Sequence, residues 1–182
     1  MKVSIINTPG GNKGSVISWV KRSGSDFNLI DTASQIRESE IIIFPGNGTF
    51  KSTISWIEEK NFSEALIEYI NSNNKYIGLC IGMQIMFEKG FEGGIINGLN
   101  ILKGEVEELQ QPRIGWEKVL GKINKFRIDS DYFFMHKYGV LRKSRCLDFV
   151  RYKNSYLFQF HPEKSGISGD KLLQKILFKN YV

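Results

Sequence analysis

Only two cysteines, two histidines and four prolines stand among the 182 residues. So few cysteines exclude a disulfide framework, and nothing marks the chain for export, so Cys80 and Cys146 are expected as reduced thiols. No apolar run approaches the roughly 20 residues that cross a bilayer. The apolar start, residues 1–6, is too short for a signal peptide and breaks at once into a turn. A cytoplasmic protein with no membrane partner is expected. Long blocks of one charge are also missing: 25 Lys and Arg face 19 Asp and Glu, a formal net charge of +6, scattered along the chain. With no basic helix and no zinc, homeodomain or RNP-type pattern, that charge reads as a solvated surface and no nucleic-acid partner is expected. Repeats, low-complexity segments and linkers are absent too, so residues 1–182 are expected to form one domain around a single core.

What is present is alternation. Apolar strand-like runs at 2–7, 27–30, 40–44 and 75–80 are separated by helix-like spacings at 15–22, 49–60 and 63–71, with a polar segment at 32–38. Connections too long for hairpins argue an α/β fold with a mostly parallel sheet and helices on both faces. Beyond residue 98 the texture changes to aromatic and β-branched segments at 105–109, 116–120, 132–136, 147–152 and 156–161, expected as antiparallel strands added to that sheet. An amphipathic helix over 170–179 closes the chain, with Leu172, Leu173, Ile176 and Leu177 inward.

The stretch Gly78-Leu79-Cys80-Ile81-Gly82 carries the chemistry. An apolar strand stops at Cys80 and a helical pattern is expected to follow through Lys89, so the cysteine sits on a strand-to-helix turn, a nucleophile elbow. Glycines on either side allow the close backbone approach so sharp a turn needs. The N–H groups that open a helix favour an anion at the sulfur. A free cysteine is otherwise often a packing residue, so a base must be found. His161 ends a strand and is followed by Pro162 and Glu163; in an extended conformation His161 and Glu163 share a face, and the carboxylate orients the imidazole. The third element is the loop Pro45-Gly46-Asn47-Gly48, which follows the strand at 40–44. Loops at the C-terminal ends of adjacent parallel strands meet in one crevice, where free N–H groups can receive an oxyanion.

Taken in order, Pro45-Gly46-Asn47-Gly48-Thr49-Phe50, the Cys80 elbow through Gln84, Ile114-Gly115-Trp116 and Gln159-Phe160-His161-Pro162-Glu163-Lys164-Ser165-Gly166 resemble the class I (triad) glutamine amidotransferases. More closely they resemble the glutaminase subunit of imidazole glycerol phosphate synthase. The resemblance implies a flavodoxin-like fold and a Cys80, His161, Glu163 triad that hydrolyses glutamine, with no cofactor and no metal. It implies an oxyanion hole from Asn47 and Ile81, and glutamine held by Gly46, Gly48, Gln84 and the His136-Lys137-Tyr138 segment. Asn12 and Lys164 would face a separate cyclase-type synthase subunit in a heterodimer, to which ammonia passes.

The chain departs from the family pattern at Asn7, Asn47, Arg113 and Lys137, and the region before Tyr132 is short. None of these touches the triad. They leave open a paralogous glutaminase serving a sugar amidotransferase of surface-polysaccharide or nonulosonate synthesis. A non-catalytic binding module on the same fold is the alternative of another class, and the intact triad argues against it.

Overall fold

The computed structural model describes residues 1–10, 13–123 and 126–178. Its first half runs β1 (Lys2–Ile6), α1 (Lys13–Arg22), β2 (Asp26–Ile30), α2 (Ala33–Glu38), β3 (Ile41–Phe44), α3 (Phe50–Glu59), α4 (Ser63–Asn71) and β4 (Lys75–Leu79). After Cys80 come α5 (Ile81–Gln84), β5 (Phe87–Gly90), β6 (Ile96–Asn97), β7 (Leu102–Ile123), β8 (Phe126–Arg142), β9 (Arg145–Cys146), β10 (Phe149–Tyr152) and β11 (Ser155–Phe158). A 3-10 turn (Pro162–Lys164) and α6 (Gly166–Leu177) end the described chain.

The main sheet has the order β10-β11-β4-β3-β1-β2, parallel except for β10. From β2 to β11 this is the flavodoxin-like order, in which ligands gather beyond the carboxyl ends of the strands. Side chains of β3 alternate between two cores. Ile42 and Phe44 join Phe50, Ile54, Ile57 and Leu66 under α3 and α4, while Ile41 and Ile43 join Trp19, Val20, Leu172 and Ile176 under α1 and α6. Strands buried on both faces explain why β3 reads as an unbroken apolar run. Each such side chain, removed from water, contributes about 1.5–3 kcal/mol. Helix α6 places its four expected apolar residues inward; Lys179, at the end of the helix read from the sequence, lies outside the described residues. Among the described residues no helix is long and apolar enough to cross a membrane.

Two expectations are corrected. The helix after Cys80 is a single turn, and residues 87–90 leave it as a strand paired in parallel with β7. A short apolar run fits either conformation, and a partner strand distant in sequence decides for β. The aromatic segments of the second half do not all extend the main sheet. Only β10 and β11 do, and β11 runs parallel to β4 where an antiparallel strand is expected; β5 to β9 form a second, five-stranded sheet in the order β6-β5-β7-β8-β9. The segments 105–109 and 116–120 are one strand, β7, whose register against β8 shifts between Glu108 and Arg113.

Candidate active site

Cys80 leaves β4 with φ 46° and ψ −102°, a conformation rarely open to a residue with a Cβ, and it is 9% exposed. The turn holds because its neighbours are glycines. A Cβ on Gly78 would stand 2.4 Å from the Gly82 carbonyl oxygen, and one on Gly82 would stand 2.8 Å from that of Phe44. The Tyr76 hydroxyl closes the elbow by donating to the Gly82 carbonyl at 2.9 Å.

The loop after β3 lies directly against this turn. A Cβ on Gly46 would meet Cys80 Cβ at 2.9 Å, Leu79 O at 2.9 Å and His161 Cε1 at 3.0 Å, so only glycine lets the loop backbone lie between Cys80 and the imidazole. Its exit is fixed by a capping box in which Thr49 accepts the Ser52 N–H and Ser52 accepts that of Thr49. The Asn47 N–H donates to the Pro45 carbonyl at 3.2 Å. Ile81 opens α5, where a helix leaves its first N–H groups without an intrahelical acceptor.

His161 is 3% exposed, and its Nδ1 lies 2.8 Å from Glu163 Oε1. The segment is not extended as the sequence reading expects: Pro162–Lys164 is a 3-10 turn, which folds the carboxylate back under the ring. Pro162, which donates no N–H, suits the first position of that turn. β8 anchors it through His161 N–H to Phe133 O at 2.8 Å, Phe133 N–H to Ser165 Oγ at 3.0 Å, and Ser165 Oγ–H to His161 O at 2.7 Å. Burial opposes charge on this imidazole, but the Cys80 sulfur and the Glu163 carboxylate outweigh it and push its pKa up to about 10.

The remaining expected residues distribute unevenly. Gln84 is buried, its Nε2 donating to Tyr138 O at 2.7 Å and Gln159 Oε1 at 3.2 Å. His136 is buried beside it, its Nδ1 2.8 Å from Tyr138 O; burial first, then the charges of Arg113 and His161, lower its pKa to about 4 despite that bond. Lys137 points the other way, pairing with Glu108 on the outer face at 2.6 Å, so only its main chain can face the site. Tyr138 is half-buried, with its hydroxyl 3.4 Å from Glu108. Gly48 follows Asn47 with φ +99°. The Lys164 ammonium lies 6.0 Å from the Phe133 ring centroid. Asn12 lies outside the described residues.

Two side chains at the site carry no role in the sequence reading. Gln159 is fully buried with its Nε2 3.6 Å from Cys80 Sγ. A polar residue two positions before His161 in an otherwise apolar strand is the signal that could have found it. Arg113 bonds Glu117 and Asp148 at 2.7 and 2.8 Å and stacks on Phe134 at 3.8 Å. Its only signal is its place among the departures from the family pattern.

A family model for glutamine amidotransferase class-I matches residues 11–180. The imidazole glycerol phosphate synthase subunit HisH of Rhodopirellula baltica is 32% identical, the match covering 95% of each chain. That of Sulfolobus acidocaldarius is 34% identical over 97% of each. Among solved structures, a glutamine amidotransferase superposes with a TM-score of 0.76 at 14% identity, covering 96% of each chain, and PurLQS from Thermotoga maritima with 0.74 at 16%, covering 97% of each. The structural likeness speaks to fold alone. The family match over nearly the whole chain, together with the curated relatives, settles the family: the chain belongs to the class-I glutamine amidotransferases.

Proposed function

We propose that this chain is the glutaminase subunit of an imidazole glycerol phosphate synthase, hydrolysing glutamine and passing ammonia to a separate cyclase-type subunit. The observation that carries the chemistry is His161 held between the Cys80 sulfur and Glu163. The pathway rests on the HisH relatives that align along the length of both chains.

The Cys80 sulfur, paired with the charged His161, attacks the side-chain amide carbon of glutamine. Negative charge gathers on the amide oxygen, which the N–H groups of Ile81 and Asn47 receive. The imidazolium then protonates the departing nitrogen, the C–N bond breaks, and ammonia leaves a thioester on Cys80. Water loses a proton to His161 as it attacks that thioester, the C–S bond breaks, and glutamate leaves the sulfur paired again with the charged imidazole. Glu163 orients the imidazole and stabilises its charged form throughout. Gln84, the glycines of the oxyanion loop and the main chain of 136–138 hold the amino-acid end of the substrate.

A surface for the partner flanks the site. Ile114 pairs with Met135 and Trp116 with Phe133 across β7 and β8, and Ile114, Trp116 and Met135 are all more than half exposed. This apolar strip adjoins His161 through the Phe133 carbonyl and carries Lys164 at its edge. It is the face on which we seat the synthase.

The test is glutamine turnover with and without the cyclase-type synthase. Cys80→Ala should abolish it and leave synthesis from added ammonium salt intact. A diazo-ketone analogue of glutamine should label Cys80 and spare Cys146. Wild-type turnover in Cys80→Ala, or an adduct on Cys146 alone, would remove Cys80 from the mechanism. Stimulation by a sugar amidotransferase in place of the cyclase would move the chain to the paralogous pathway.

A further inference from the structure

We propose that Gln159 is a positioning residue for the nucleophile: its side-chain amide donates to the Cys80 sulfur and is itself aimed by Gln84. The inference rests on the reading of Cys80 as the nucleophile.

Gln159 follows β11 and is fully buried among Leu157, Phe158 and Phe160. An amide left unpaired there would cost about 1–3 kcal/mol, so its partners decide whether the site tolerates it. The orientation of the amide follows from the network. The Tyr138 carbonyl can only accept, so Gln84 must turn its NH2 group to it, at 2.7 Å, and the same nitrogen reaches Gln159 Oε1 at 3.2 Å. With Oε1 of Gln159 so occupied, its NH2 group faces Cys80 Sγ at 3.6 Å. The main chain is held as firmly: the Gln159 N–H donates to the Asp148 carbonyl at 2.9 Å, and Arg113 grips the Asp148 carboxylate.

A hydrogen bond to a charged acceptor is stronger than one to its neutral form, so a fixed N–H donor at sulfur favours thiolate over thiol. It also holds Sγ in one place while the glutamine amide approaches. The titratable group that faces the sulfur comes from the segment after β11, which brings His161 with Glu163 behind it; His136 on β8 acts on His161, and Arg113 on β7 acts on His136. The loop after β3 presents the Gly46 backbone. Gln159 adds to this set a donor whose own charge never changes, so the N–H stays available at every pH.

The experiment follows alkylation of Cys80 by iodoacetamide across a pH series, read by mass spectrometry on the Cys80 peptide, in wild type, Gln159→Met and Gln159→Glu. Gln159→Met keeps length and volume but removes the donor, and its alkylation profile should move about one pH unit to the alkaline side. Gln159→Glu keeps the shape and the bond from Gln84 but sets an oxygen against the sulfur, and should move it further. With the synthase present, kcat should fall roughly ten- to a hundredfold while KM for glutamine stays near the wild-type value. Melting curves confirm that both variants fold; should the Met variant not, the isosteric Glu variant carries the comparison. A Cys80 profile that stays at its wild-type position in the folded variants overturns the proposal, even if turnover falls. A wild-type chain that hydrolysed no glutamine with its synthase would sink the functional reading instead, and leave the alkylation comparison standing.

Discussion

Burial alone would drive both imidazoles toward their neutral forms, and only His136 follows. His161 is held charged by the Cys80 sulfur and Glu163, to about pH 10, whereas His136, facing Arg113 and His161, stays neutral to about pH 4. The consequences for stability have opposite signs. A folded value above the unfolded value near 6.5 means that His161 stabilises fully below that pH and less as pH rises through about 10; His136 stabilises above 6.5 and loses its contribution as pH falls through about 4. With two histidines in the chain, ring-proton NMR resolves both titrations directly. Titration of both near 6.5 would show that neither environment acts as described. Glu163→Gln removes one of the two groups that hold the charge on His161, so its midpoint should fall. An amide stabilises imidazolium poorly, and turnover should drop roughly tenfold to a thousandfold. Unaltered turnover from pH 6 to about 9 would show that Glu163 does not orient the base.

At the scale of elements, the elbow is legible in the sequence because its constraint is local. Gly78 and Gly82 mark it by type, and one added carbon tests it. Gly78→Ala would set a Cβ 2.4 Å from backbone and should cost about 1–3 kcal/mol, read as a lowered melting temperature. Gly14→Ala in α1 meets nothing within 4 Å and should instead stabilise by about 0.5–1 kcal/mol. Equal shifts from the two would mean that packing at the elbow is not what demands glycine. The parallel half was equally readable, since β1, β3 and β4 are apolar runs between helical spacings. What escaped was set by distant partners. Phe87 continues an apolar run that suits a helix until β7 offers it a ladder. The segments 105–109 and 116–120 read as two strands, yet the residues between them hold only a shift in the register of β7, and the strand runs on through Gly115 at φ +119°. The approach of His161 to Glu163 likewise suits an extended chain in the sequence, because spacing by two cannot distinguish a strand from the tight turn that Pro162 begins.

At the scale of the whole molecule, the site holds Cys80 and His161, the proposed nucleophile and base, in place but not the proposed oxyanion hole. The Asn47 N–H is spent on the Pro45 carbonyl, so one of the two donors assigned to the transition state points away from it. Turning that peptide over is the step we assign to the docked synthase, for which we propose the seat on β7 and β8 beside His161. If the competent loop is about 1% populated in the isolated chain, a partner favouring it by roughly 2.7 kcal/mol brings it to about half, a gain near fiftyfold. The polar side chain of Asn47 suggests from sequence that it locks the resting loop. In the structure it reaches toward Gly10 and makes no hydrogen bond among the described residues, so the main-chain bond alone holds that state. Turnover of the purified chain should therefore be low, rise with the synthase and its acceptor, and rise by the same factor in Asn47→Val. Trp116→Asp should raise the synthase concentration needed for half-stimulation at least tenfold, because an exposed aromatic at a docking face is where binding energy concentrates. Full activity of the isolated chain would sink the gating step. A gain that disappears in Asn47→Val would return the lock to the side chain.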